Sequence, residues 1–456
     1  MSLLMQNYQI ESLVKISHQA FKRQIDAFVA HHAQALSQDT WFDGIKPTAK
    51  ALGGKAAPHQ LSGPEDFSSH FIPFVEKKIV PQDSQIMVFG DIHGDIATLL
   101  AALEHLKGQG YIDSELRLVK NNVYFVFLGD YTNRGSYGVP VVSVLLDLFM
   151  KNLGHVFLLR GNHESASTNK RFFLRHHAPT TEYAAVPFLR ELAERFEGYQ
   201  YPDLLLWYDY LPLTLYIGCR NAAGGIDYLT FCHGGLEIAY NPKNFLACPD
   251  SEFAMITTLD RKGALKQLAC HDDTKHVADH IGRALTLQES DGFSRYQALH
   301  TQEIPIDAQS HEHHVTLRLG MLWNNFVTEN NHELEFALSP TRWTVYLGKA
   351  ATRYFLNQAQ SDKVRILGIF RGHQHVDEAV PALGLNTTML TDIKDRKGLV
   401  KQWDGLVYTL GASDNISGYQ SFLMLSLTGQ VDSWAVCHYF KKPDQQDFFF
   451  NIVNMF

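Results

Sequence analysis

Five short apolar runs in this chain stop at glycine next to a side chain that can hold a cation. Gln85–Phe89 ends in Gly90-Asp91, and Val123–Leu128 ends in Gly129-Asp130. Val156–Leu159 ends in Arg160-Gly161-Asn162-His163, Tyr228–Cys232 in His233-Gly234-Gly235, and Val364–Phe370 in Arg371-Gly372-His373. Short apolar runs bounded by turn residues read as buried strands. Ile96–Lys107 and Val139–Met150 lie between the first three and carry the pattern of helices. Strands alternating with helices imply an α/β layered core. In open α/β sheets, ligands gather at the carboxyl ends of strands. The polar groups here sit at those ends, so one shared site is expected.

The rest of the chain is read more coarsely. Tyr8 to Gln38 has apolar residues near a 3.6 period and lacks Gly and Pro, which predicts a helix. Asp39 to Gln82 is broken by prolines and paired glycines. Residues 1–82 are therefore expected to be a helical appendage and linker, and 83–440 the main domain. Helical additions are expected near 165–205, where Phe173–Phe196 looks helical, and at 237–315, with two helices. Leu213–Ile217, Gly405–Leu410 and Ser421–Leu427 read as strands, and Val345–Gln358 as a helix. Residues 441–456 form a tail with the apolar stretch Phe448–Val453, free to dock or to move.

Composition narrows the function classes. A net charge of -8 argues against a general nucleic-acid binder, which would show a basic face. The five cysteines are scattered, odd in number and never form CxxC, so neither a disulfide framework nor a zinc ribbon is expected. No apolar run reaches the ~20 residues that a membrane span needs. The first residues lack the layout of a signal peptide, so a cytosolic location is the default expectation.

Oxygen and imidazole ligands without thiolate suit manganese, iron or zinc. Gly90-Asp91-Ile92-His93-Gly94-Asp95, Gly129-Asp130-Tyr131-Thr132-Asn133-Arg134-Gly135, Gly161-Asn162-His163-Glu164, His233-Gly234-Gly235 and Arg371-Gly372-His373 together offer enough ligands for two ions. Each segment alone is an ordinary turn or helix start; their combination is specific. The set resembles the PPP family of metal-dependent phosphoprotein phosphatases, within the calcineurin-like metallophosphoesterases. Leu322-Trp323 is similar to that family's LLW segment, and the resemblance runs from about Gln85 to Leu427.

The resemblance implies a metallophosphoesterase β-sandwich flanked by helices, of class α/β (α+β), with helical N-terminal and internal additions. It implies two divalent metal ions, Mn2+ foremost and Fe or Zn as alternatives. Asp91 and His93 would hold the first, Asp130 would bridge, and Asn162, His233 and His373 would hold the second. His163 would be the general acid, Arg134 would bind phosphate oxygens, and Arg371 would lie near the site. A second phosphate-binding arginine would be Arg295 or Arg318. The implied reaction is in-line attack on a phosphomonoester by a hydroxide shared between the metals. The substrate would be a phosphorylated protein or peptide.

One position departs from the family pattern, Asn133 standing where the family has Asp. A carboxylate there would support a charged His163, whereas an amide oxygen would only orient it. A phenol leaving group, with a pKa of about 10, needs less protonation than an alkyl alcohol. The expectation is a lean toward phosphotyrosine, with phosphoserine/threonine as the alternative. A further alternative is a small-molecule phosphoesterase of the diadenosine tetraphosphate hydrolase type. The elaborated layout is also similar to PPP-type effectors secreted by Legionella, particularly the Wip group, which would place the chain in a host cytosol. His311-Glu312-His313-His314 reads as a solvated loop rather than a metal tract. Lys170-Arg171 and Arg175 could rim a phosphopeptide site or face solvent. The N-terminal helix is expected to pack on the main domain; an interaction with a partner protein through it, or through the additions, is the alternative.

Overall fold

The computed structural model describes residues 13, 15–48, 73–165, 168–169, 188–196, 204–256, 259, 320–331, 336–339, 344–380 and 385–455. Arg295, Arg318, the 311–314 tract, Lys170, Arg171, Arg175 and most of both expected additions lie outside these residues.

In chain order the principal elements begin with α1 (His18–Leu36), β1 (Phe74–Val80), β2 (Ser84–Phe89) and α2 (Ile96–Gly108). Then come β3 (Val123–Phe127), α3 (Gly138–Lys151), β4 (Val156–Leu158), α4 (Phe188–Arg195), β5 (Thr214–Arg220), β6 (Ile226–Cys232) and β7 (Phe253–Met255). The last are α5 (Lys349–Gln358), β8 (Val364–Arg371), β9 (Leu399–Gln402), β10 (Val407–Leu410), β11 (Gln420–Leu427), β12 (Ala435–Lys441) and β13 (Phe449–Asn454).

Two sheets form the centre. One has the order β9-β10-β8-β6-β5-β1-β7, the other β13-β12-β11-β2-β3-β4. In the second, β2, β3 and β4 run parallel, with Met87 opposite Phe125 and Val126 opposite Phe157. In the first, β6, β8 and β10 run parallel, with Phe370 between Phe231 and Tyr408. All five expected ligand-bearing strands therefore end on one edge of the sandwich.

Strand alternation explains the layering. Ile86 and Val88 on β2 point between the sheets, joining Val126, Leu215, Phe231 and Leu423 in one buried cluster. Met87 and Phe89 point the other way, into a cluster with α2 and α3. Phe21, Ile25 and Phe28 of α1 are fully buried in that same outer cluster. The N-terminal helix thus packs on the main domain, and Ser17 caps it by accepting from Ala20 N–H.

Several sequence-based boundaries shift. Residues 74–80 were expected in the linker, yet β1 pairs in parallel with β5 inside the seven-stranded sheet. Of the two readings open for the tail beyond 441, docking is the one found: β13 pairs antiparallel with β12 and forms the sheet edge. Thr344–Leu347 is a strand and the helix starts only at Lys349. Its β-branched and aromatic residues favour that pleat over a helical turn. Leu399–Gln402, which carried no sequence expectation, pairs with β10. Among the described residues Cys219, Cys232, Cys248 and Cys437 are free thiols. No described helix is long and apolar enough to cross a membrane.

One buried imidazole couples this fold to pH. His438 on β12 is 3% exposed and its Nε2 has no hydrogen-bond partner. Burial, then the charge of Lys397, hold it down at about 4. Its folded value lies below the unfolded value, so its neutral form stabilises the protein above pH ~6.5. That contribution is lost as pH falls from about 6.5 toward 4, about 2 kcal/mol between pH 7.5 and 5. Urea unfolding at the two pH values should show a smaller pH-dependent loss in His438→Leu than in the parent chain. An equal loss in both would rule out this group as a source.

Candidate metal centre

The loops after β2, β3, β4, β6 and β8 converge on one buried pocket. Its acidic and imidazole groups form three overlapping sets: Asp91, His93 and His375; His93, Asp130 and His163; Asp91, Asp130 and His233. Within each set the ligand atoms lie within 4.8 Å of one another. Asp130 is central. Its Oδ2 lies 3.4 Å from His93 Nε2, and its Oδ1 lies 3.3 Å from His233 Nε2. Asn162 Oδ1 lies 2.8 Å from His233 Nε2 and 2.9 Å from His373 Nδ1. The structure thus brings Asp91, His93, Asp130, Asn162, His233 and His373 together.

The backbone is bent to do this. His93, Asp130, Asn133, Arg134 and His373 all have positive φ, between 46° and 72°. Such conformations in non-glycine residues cost energy and cluster at functional sites. Glycine permits the closest approaches. A Cβ on Gly372 would sit 2.1 Å from Asp91 Oδ1, and one on Gly161 2.3 Å from Asp130 N. With Gly372 in place, His373 N–H donates to Asp91 at 3.0 Å.

The donor set fits cations. His93 Nδ1 faces the Thr132 carbonyl at 3.0 Å, and His233 Nδ1 faces the Leu128 carbonyl at 3.1 Å. A carbonyl only accepts, so each Nδ1 carries the proton and each Nε2 lone pair points into the pocket. His93 Nε2 is buried there without a hydrogen-bond partner. Burial raises Asp91 to about 6 and Asp130 to about 7, and it lowers His93 well below the usual imidazole value. Neutral imidazoles are the ligating form, and a divalent cation supplies the counter-charge that buried carboxylates need.

Two contributors carried no assigned role in the sequence reading. His375 Nε2 lies 3.6 Å from Asp91 Oδ2, on the His93 side of the pocket. Its signal is the His-x-His spacing in Gly372-His373-Gln374-His375. Glu164 is fully buried and accepts from Asp130 N, Tyr131 N and Gly161 N at 2.6, 3.0 and 2.9 Å. It ties the second and third loops together.

One expectation, at Asn133, needs correction, and Arg371 takes a buried place beside the site. Arg371 is fully buried, donates to Gln374 Oε1 at 2.8 Å and to the Asn324 carbonyl, and lies over the Phe326 ring. It braces the loop beneath His373 from within the core. Asn133 presents its amide nitrogen, not its oxygen, to His163 Nδ1 at 3.0 Å. Its oxygen accepts from Phe188 N–H at 2.9 Å. Arg134 Nη1 lies 3.5 Å from His375 Nδ1, at the half-buried side of the pocket. His163 N–H donates to Asp130 Oδ1 at 2.8 Å, and its Nε2 lies 4.0 Å from Asp130 Oδ2. Trp323 stands edge-on to the His373 ring at 5.6 Å.

This chain is similar to several known proteins. A family model described as "Calcineurin-like phosphoesterase" matches residues 84–377. The serine/threonine-protein phosphatase PP2A-like PPG1 of Candida albicans is 32% identical over 165 residues, 35% of this chain and 31% of that protein. The serine/threonine-protein phosphatase 6 catalytic subunit of Caenorhabditis elegans is 38% identical over 91 residues, 20% of this chain and 24% of that one. The matches thus span about a third or less of these relatives. Among solved structures, a Saccharomyces cerevisiae serine/threonine phosphatase aligns at TM-score 0.43 and 14% identity, covering 95% of this chain and 90% of that one. A cold-active protein-tyrosine phosphatase of a psychrophilic Shewanella aligns at 0.39 and 12%, covering 82% and 81%. The family match covers more than half of the chain and spans every converging loop from Asp91 to His375, and the chain belongs to the calcineurin-like phosphoesterase family.

Proposed function

We propose that this phosphoesterase is a protein phosphatase that removes phosphate from serine or threonine side chains with two divalent ions, manganese foremost. The observation that supports it best is the convergence of Asp91, His93, His375, Asp130, Asn162, His233 and His373 around one carboxylate, Asp130. Asp91, His93 and His375 would hold one ion, Asn162, His233 and His373 the other, with Asp130 between them. Such ions supply Lewis-acid charge and acidify water at neutral pH. The chain's own groups do the rest. Arg134 offers a planar cation for phosphoryl oxygens. His163 aims Nε2 into the pocket, where it can donate to the leaving oxygen. Asp91, Asp130, His93 and His233, each held by a backbone contact, keep the ligand geometry fixed. The names of the two curated relatives, both serine/threonine-protein phosphatases, support the substrate class.

A second reading, phosphotyrosine, is favoured by Asn133. The group beside His163 Nδ1 is a donor and gives no support to an imidazolium. Matched phosphoserine, phosphothreonine and phosphotyrosine peptides, assayed with added manganese, decide between the two. Serine or threonine peptides should give the higher kcat/KM. A tenfold or larger preference for tyrosine would replace the first reading with the second, and turnover of dinucleotide polyphosphates alone would exclude both.

A further inference from the structure

Asn169 belongs to none of the ligand-bearing motifs, yet its side chain is fully buried just behind His163. Its Nδ2 donates to the His163 carbonyl at 2.6 Å and to the Ser165 carbonyl at 3.0 Å. Carbonyls only accept, so the amide cannot be turned round. Its Oδ1 must face the other way, and there it accepts from Asn133 Nδ2 at 3.1 Å. Phe188 N–H fixes Asn133 from the opposite end by donating to its Oδ1. Both ends of the Asn133 amide are thereby determined, and the atom 3.0 Å from His163 Nδ1 is a donor.

We infer that Asn169 is a positioning residue: acting through Asn133, it makes His163 Nδ1 a hydrogen-bond acceptor and keeps the ring proton on Nε2, facing the pocket. The inference rests on the phosphoesterase reading for its consequence but not for its geometry. A neutral imidazole donates a hydrogen bond to the leaving oxygen without surrendering its proton. As the P–O bond breaks, the electron pair stays on that oxygen, which takes a proton from solvent after departure. Within one class of ester, the rate then depends more steeply on the leaving group's own acidity than in a site where a charged imidazolium gives up a proton.

The two amides are also matched to each other. A carboxylate at 133 would meet Asn169 Oδ1 acceptor to acceptor, at a separation now occupied by a 3.1 Å hydrogen bond. Asn133→Asp alone is therefore expected to lower thermal stability. Asn133→Asp with Asn169→Ser removes the conflict, because a hydroxyl can donate to the carboxylate.

The test uses the full chain loaded with diamagnetic zinc and labelled at histidine with 15N. Long-range 1H–15N correlation, with His163→Gln to assign the signal, should show a proton on Nε2 and none on Nδ1. In the double variant Nδ1 should carry a proton as well, giving an imidazolium that can surrender the proton on Nε2. A parent protein with its His163 proton on Nδ1 overturns the inference, whatever the activity. In parallel, kcat/KM is measured on aryl phosphates with leaving-group pKa from about 7 to 10. The double variant, at unchanged metal content, should gain about tenfold on the poorest leaving group relative to the best. An unchanged slope would reduce Asn169 to a structural residue. Absence of turnover on every phosphate would count against the phosphoesterase reading and leave the tautomer result standing.

Discussion

Asp130→Asn should abolish turnover, by on the order of a thousandfold, the scale on which one preorganised charge-stabilising group acts. Asp130 reaches the Nε2 atoms of both imidazole sets, with His93 at 3.4 Å on one oxygen and His233 at 3.3 Å on the other. The substitution keeps shape and volume. An asparagine oxygen can still accept from His163 N–H, as Asp130 Oδ1 does at 2.8 Å. The backbone N–H at 130 still donates to Glu164. Asparagine also tolerates positive φ well, so the 55° at this position is not an obstacle. Folding should therefore survive while charge between the ions is lost. Metal analysis after dialysis should show reduced retention, with an unchanged thermal transition for the metal-free protein. A variant that keeps its full metal content and more than a tenth of its activity would remove Asp130 from the centre of the site.

Much of this site was legible because ligand and turn chemistry are local. A short apolar run followed by Gly-Asp or Gly-Asn-His states both a strand and what stands at its end. The strands with no ligand at their ends were harder. β1 reads Phe-Val-Glu-Lys-Lys-Ile-Val, and its charged middle resembles a solvated segment. Lys77 is nonetheless buried, because its ammonium reaches the carbonyls of Phe245 and Cys248 far along the chain. β13 has Phe449, Phe450 and Ile452 exposed, so hydrophobic pattern alone could not dock it. Its register comes from pairing with β12.

The same division holds inside the site. Glu164, Asn169 and His375 act through partners at a distance in sequence: Asp130, Asn133 and Asp91 respectively. Asn133 shows the limit most clearly. Sequence identifies an amide beside an imidazole, but which end of that amide faces the ring depends on Phe188 and Asn169. The orientation reverses the chemical meaning, from acceptor to donor. Local residue type therefore pointed to side chains that converge in the fold, but not to the hydrogen-bond polarity around them.

Arg134→Ala should lower kcat/KM by about a hundredfold and leave metal content unchanged, since one preorganised cation facing transferring charge acts on that scale. A guanidinium cannot ligate a cation, so its loss removes nothing from the donor set. Its placement is nevertheless specific. Residues 133 and 134 both have positive φ, 66° and 72°, and Gly135 N–H closes the turn on the carbonyls of His93 and Asn133. That turn brings Nη1 to 3.5 Å from His375 Nδ1, beside the pocket rather than out in solvent. The planar fork matches two phosphoryl oxygens at once, which a lysine ammonium does not. Arg134→Lys should therefore recover only part of the loss and should mend KM more than kcat. Steady-state kinetics on para-nitrophenyl phosphate, with metal content measured on the same samples, checks both statements. Activity of the alanine variant within about threefold of the parent would place phosphate binding elsewhere, because a group engaged in the transition state cannot be so cheaply removed. Loss of metal in that variant would instead make Arg134 a brace for the ligand loops, and the phosphate would need another cation.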